Sequence, residues 1–253
     1  MMKFVSRTLV PVLVLALVFF AGSGYALSAG HGDAPDGFYA PETLAEFDGV
    51  ETDEAYVAFE GRVYDLTEDF EDGAHAGHEA GQDLTEEAYE ADHGPDVLED
   101  EEVVGYMLEV VLTEEELARY DGEEYPPYVA VDNVIYDASE VFEDGTHGGN
   151  EAGQDLTEEF HDRHGEENLE TMPVVGALVH YELTEEELAQ YDGQDGEDGF
   201  IAVDGVIYDV TDAWDDGSHR GHEAGNDLSE EIEEAGHTRT VLPGLPVVGV
   251  LVE

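Results

Sequence analysis

Three stretches of the chain share one pattern of apolar and polar positions. Each has four apolar residues, a two-residue polar break and a second apolar run that ends in Tyr-Asp. The stretches begin at Tyr56, Tyr128 and Phe200, and their breaks are Glu60-Gly61, Asp132-Asn133 and Asp204-Gly205. Two β-branched and aromatic runs flanking a pair able to take positive φ predict a β-hairpin. Tyr64, Tyr136 and Tyr208 stand 72 residues apart each time, and the same step relates Gly73, Gly145 and Gly217. It also relates His75, His147 and His219, and Gly81, Gly153 and Gly225. Solenoid repeats run to roughly 20–50 residues, so the longer step predicts small domains, each with its own core.

The pattern around each hairpin fills in the rest of the unit. Thr113 with Glu116 and Thr184 with Glu187 have the spacing of capping boxes, so short helices open the second and third units. The first unit keeps a worn version of this helix between Leu44 and Gly49. Beyond the hairpin, Phe70, Phe142 or Trp214 leads into a Gly-rich segment, expected to be a flexible loop, which carries His75, His147 or His219. A second helix follows, with Asp83, Asp155 and Asp227 as its expected caps, and runs into His93, His164 or His237. Val103-Val104-Gly105, Val174-Val175-Gly176 and Val247-Val248-Gly249 read as closing strands. Short helices on a small mixed sheet make an α+β fold. The expected units are 38–110, 111–181 and 182–253, and small separate domains of this kind behave nearly independently.

The amino terminus differs from everything after it. Lys3 and Arg7 precede an apolar segment at 8–22, and small residues lead to Gly24-Tyr25-Ala26. This reads as a signal peptide over residues 1–26, cleaved after Ala26, and places the protein outside the cytoplasm: extracellular, at the cell surface or in a periplasm. Fifteen apolar residues fall short of the ~20 that a bilayer span needs. The alternative is an uncleaved anchor; no later stretch reads as a span.

Charge narrows the environment. The chain has 65 acidic and seven basic residues, a formal net charge of −58. Both Lys3 and Arg7 lie in the first 26 residues, so the exported part has no lysine. Such self-repulsion is tolerated where salt screens it, and the regular apolar spacing argues against an acidic disordered chain. The same field repels nucleic-acid phosphates and anionic lipid, which speaks against both as partners. The absence of cysteine excludes disulfides, thiolate catalysis, iron–sulfur clusters and thioether-linked haem.

The histidines carry the candidate chemistry. His75 and His93 are 18 residues apart, His147 and His164 are 17, and His219 and His237 are 18. Two neutral imidazoles facing each other across a cleft make an axial pair for haem iron, and glycines let a flat macrocycle approach the backbone. His78 and His222 compete for the loop role, but the middle unit has Asn150 there while His147 remains. His161 lies one turn before His164; His164 is preferred because Gly165 follows it as Gly94 follows His93. His-x-x-His at 75/78 and 219/222 with nearby acids is also a zinc or copper pattern. His31 and His180 have no repeated counterpart and are given no role.

With the hairpin, the His-x-Gly loop, the Ala-Gly-x-Asp run, the second histidine and the closing Val-Val-Gly strand in order, each unit resembles the cytochrome b5-like haem/steroid-binding domains almost end to end. The resemblance implies three tandem small cytochrome b5-like domains after the signal peptide. It implies up to three non-covalent b-type haems, with His75/His93, His147/His164 and His219/His237 as the axial ligands of the iron. Two departures stand out. No proline follows the loop histidine, where ordinary cytochrome b5 has His-Pro-Gly-Gly, and the interval between the two histidines is several residues shorter.

The function expected from the sequence is therefore electron transfer by an exported, salt-adapted protein that is not an enzyme, with an unknown redox partner protein. The alternatives are a module binding haem or another apolar, steroid-like ligand without redox turnover, and an acidic structural array. Carboxylate pairs abound, but no G-x-S-x-G, P-loop or dinucleotide motif appears. If the acidity is a salt adaptation, the fold loosens below about 0.1 M salt, where the Debye length exceeds about 10 Å. Circular dichroism from dilute to molar KCl checks this, and an unchanged spectrum counts against it.

Overall fold

The computed structural model describes residues 37–91, 95–98, 101–234 and 239–253. The expected signal peptide, His31, His93 and His237 lie outside these residues. Among the described residues, no helix is long and apolar enough to cross a membrane.

Each repeat builds one five-stranded sheet with the same strand order. In the middle unit the order is Gln154–Asp155, Tyr128–Val131, Val134–Asp137, Val174–Leu178 and Val110–Leu112. The three central strands are antiparallel, and the strand at either edge runs parallel to its neighbour. The first unit closes its sheet with Phe38–Tyr39 on Val103–Met107, and the third with Tyr181–Leu183 on Val247–Leu251. The hairpins form at the expected dipeptides, with φ of 49° and 77° at Glu60-Gly61, 52° and 64° at Asp132-Asn133, and 52° and 83° at Asp204-Gly205. Positive φ at both central residues suits the right-handed twist of the flanking strands.

Strand alternation splits each core into two layers. Ala130 and Ile135 turn to one face with Leu117 and Leu178, beneath the opening helix. Val129, Val131, Val134 and Tyr136 turn to the other with Phe142, Leu156 and Met172. On the first face an aromatic stack recurs: Phe47 on Tyr56 at 4.6 Å, Tyr120 on Tyr128 at 4.6 Å, and Tyr191 on Phe200 at 4.5 Å. Pairs of this kind contribute about 0.5–1.5 kcal/mol beyond their buried area.

Helix starts follow the sequence in part. The capping boxes at Thr113 and Thr184 form, and hydrogen bonds from the Thr184 amide and hydroxyl hold the exposed Glu187 carboxyl below its ordinary range. The opening helix of the first unit is Pro41–Leu44, earlier than expected because Pro41 presets its first turn. Asp83, Asp155 and Asp227 are not N-caps, since Leu84 and Leu156 hold that position in the first two units. Each aspartate instead accepts from the amide and hydroxyl two residues on, in Thr85, Thr157 or Ser229. The same hydroxyl accepts from the amide of Glu60, Asp132 or Asp204, at 2.9, 2.9 and 2.8 Å. The start of the second helix is thereby tied to the hairpin turn.

The units are not independent, which corrects the expectation. Phe38 and Leu108 of the first unit are buried in the cluster built on the middle unit, and Val206, Val247 and Val250 of the third pack against it. The Val174 amide donates to the Glu60 carbonyl across the boundary at 2.9 Å, and a Cβ on Gly61 would lie 1.8 Å from the Val174 oxygen. Turns this crowded accept glycine alone. At Gly145, φ is +72° and a Cβ would sit 2.0 Å from the Asp121 oxygen. Gly145→Ala is therefore expected to cost about 1–3 kcal/mol in strain plus the clash. Gly205→Ala, where a Cβ meets open space, should cost less. Urea unfolding in molar salt gives the two values, and equal losses would show that the clash is relieved.

Candidate haem site

The segment carrying the first histidine of each pair is a tight hairpin, not the flexible loop expected from its glycines. His75 pairs with His78, His147 with Asn150, and His219 with His222, each across a two-residue turn. Both turn residues take positive φ: Ala76 and Gly77 at 51° and 96°, Gly148 and Gly149 at 60° and 94°, Arg220 and Gly221 at 49° and 98°. This accounts for the missing proline. Its ring fixes φ near −65°, so it cannot follow the histidine in a turn of this hand. A Cβ at Gly77, Gly148, Gly149 or Gly221 would meet nothing within 4 Å, so the turn presents bare backbone to open space.

An aromatic ring backs each loop histidine. Phe70 lies 5.6 Å from His75, Phe142 lies 5.6 Å from His147, and Trp214 lies 5.9 Å from His219. In the first unit the His75 Nδ1–H donates to the Asp69 carbonyl at 2.9 Å. That fixes the tautomer and leaves the Nε2 lone pair available, the arrangement that metal-bound histidines adopt.

The second histidine is described only in the middle unit. The helix Thr157–Arg163 ends there and His164 is its C-cap, 6.2 Å from His147 between ring centres and tilted by 40°. Phe160 lies 5.5 Å from His164. Leu156, Leu169 and Met172 belong to the same apolar cluster. His161 points elsewhere, with its Nε2 2.8 Å from Asp132 Oδ2. Tyr89 fills the matching place in the first unit and donates to Glu60 at 2.7 Å. His180 lies 3.3 Å from Asn133 Oδ1, away from this pair. Burial holds the Tyr136 phenol above the usual tyrosine range, so the wall it joins carries no phenolate at neutral pH. Among the described residues, no three histidine or carboxylate side chains converge as a metal site.

The donor set fits haem: paired imidazoles, an apolar wall and glycines with nothing above them. The sequence matches the model of the Cytochrome b5-like Heme/Steroid binding domain at residues 113–179 and again at 184–252. The chain belongs to that family. The two cytochrome b5-like matches fall on the second and third sheets. Among solved structures, a Methanococcoides burtonii cytochrome b5 domain protein is 48% identical, with 29% of this chain and 100% of that one covered and a TM-score of 0.29. A Hadesarchaea cytochrome b5 domain protein is 43% identical, with 29% and 100% covered and a TM-score of 0.28. No curated protein matches the chain.

Sequence reasoning missed the handedness of the histidine turn and the hydroxyl that ties helix to hairpin. The second was visible as the repeated Asp-Leu-Thr/Ser run. Ala76→Pro is expected to cost at least about 1 kcal/mol, since proline cannot adopt the native φ. Ala76→Gly should be neutral or stabilising by up to about 1 kcal/mol, because it removes a left-handed non-glycine residue. Thermal unfolding of both variants in molar salt tests the turn, and similar losses for the two would contradict it.

Proposed function

We propose that the protein is an exported one-electron carrier with up to three non-covalent b-type haems, held by His75/His93, His147/His164 and His219/His237. The observation that carries this reading is the facing pair in the middle unit. Two imidazoles on opposite sides of one metal, each bonded at about 2.0–2.1 Å, bring their ring centres to about 6 Å apart. The rings of His147 and His164 lie 6.2 Å apart. The first and third units support the same assignment through a loop histidine on the same turn, backed by an aromatic ring, in a sheet of the same strand order.

The haem, when bound, supplies one-electron exchange at its iron. The chain's part would be to hold it through both histidines of a pair, which would leave no free coordination position for oxygen or substrate and would disfavour turnover. Phe142 and Phe160, which join the apolar cluster with Leu156 and Met172, stand beside the two imidazoles and would give the haem an apolar contact on the protein side. Without cysteine, the haem is retained by coordination and packing alone.

Reconstitution in molar salt followed by a pyridine haemochrome assay should give three haems per chain, extractable by acid–acetone. Fewer than one per chain would overturn the reading. His147→Ala or His164→Ala should remove one haem or leave it five-coordinate, whereas His161→Ala should leave the spectrum unchanged. The reverse pattern would reassign the ligand in the middle unit.

A further inference from the structure

We propose that Arg62 of the first unit is a positioning residue for the middle site, and that its buried charge gives that site the highest reduction potential of the three. The proposal rests on the haem reading above and assigns one residue a role toward one site. Arg62 is 8% exposed, and among the described residues no aspartate, glutamate or other arginine is buried. Its Nη2 donates to the carbonyls of Leu169 and Met172 in the middle unit, residues 107 and 110 positions away. These carbonyls stand five and eight residues beyond His164, and the Leu169 and Met172 side chains join the apolar cluster that holds Phe142 and Phe160, the rings beside His147 and His164. One guanidinium therefore grips both ends of the turn that follows the second histidine. The neighbouring backbone bond from Val174 to Glu60 holds the first unit's hairpin in place to do so.

The repeat supplies its own control. Arg62 corresponds to Val134 and Val206, so neither of the other units has a cation at this place. Tyr64, Tyr106 and Tyr136 lie around the guanidinium, and burial raises the pKa of each phenol, so none offsets its charge at neutral pH. Its hydrogen bonds among the described residues go to the two main-chain carbonyls, so Arg62 is held by carbonyl dipoles. An arginine stays protonated under all working conditions. Salt screens exposed carboxylates far more than a buried charge, so in a molar-salt medium the guanidinium dominates the local field. A cation in the wall disfavours the oxidised iron, which carries one more positive charge, and the potential rises. The change is one electron gained with no proton transferred.

The test uses full-length haem-loaded protein in molar KCl, with haem counted first in each variant. Arg62→Gln keeps hydrogen-bond donors but loses the charge. Arg62→Lys keeps the charge on a shorter side chain with a single nitrogen donor. In spectroelectrochemical titration, Arg62→Gln should lower one of three one-electron steps by about tenfold in equilibrium constant, about 59 mV, and Arg62→Lys should move it much less. Combined with His147→Ala, in protein whose haem count shows that the middle haem is gone, Arg62→Gln should have no remaining effect, whereas combined with His75→Ala it should act in full. Amide hydrogen exchange from Leu169 to Val174 should quicken in Arg62→Gln, with or without haem. No shift, a uniform shift of all three steps, or a shift that survives His147→Ala overturns the proposal. A wild-type protein that takes up no haem overturns the haem reading beneath it instead, and the exchange data then show whether the clamp exists on its own.

Discussion

Backbone handedness is the constraint on which this structure depends. Every unit turns three times through a pair of residues at positive φ: at the hairpin, at Asp-Gly before the histidine turn, and at the histidine turn itself. Each pair reverses the chain in two residues. The loop histidine is thus placed by short, stiff reversals and not by a long loop that would pay ordering entropy on binding. At Gly73, Gly145 and Gly217 the backbone passes so near a carbonyl that a Cβ would lie within 2.1 Å of it. The histidine turn is positioned by main chain, and the residue that follows the histidine can vary, as Ala76, Gly148 and Arg220 do.

Upon this frame two opposing forces meet. The apolar faces pull three units onto a shared cluster in which Phe38, Tyr136 and Val247 come together. The 65 acidic residues push them apart. Hydrophobic burial is local and largely indifferent to moderate salt, whereas repulsion between exposed carboxylates extends over the Debye length. The balance is therefore set by the medium. Kosmotropic salt shifts it twice, by screening charge and by strengthening burial.

The hairpins, the capping boxes at Thr113 and Thr184, and the histidine spacing were legible in the sequence because each depends on residues within a few positions of one another. The tightness of the histidine turn was half legible. Its glycines were plain, but glycine marks both flexible and left-handed backbone, and the absence of proline after the histidine was the clue that separates them. Asp83, Asp155 and Asp227 misled because an aspartate can serve the helix start from two residues upstream as readily as from the cap. Arg62 was illegible. Its partners lie more than a hundred residues away, and an isolated arginine in an acidic chain reads as a surface charge.

That arginine has a consequence for how the three copies relate as modules. A tandem array of equal units could be shuffled, shortened or extended without altering any one of them. Here the first copy carries a key cut for the second and for no other, since Val134 and Val206 occupy the corresponding places in the remaining copies. The order of the cassettes is thus written into the fold: transposing the first two would bury a cation against the wrong neighbour and take the Arg62 donor from the Leu169 and Met172 carbonyls. Duplication produced three similar parts, and one substitution was enough to give them an address.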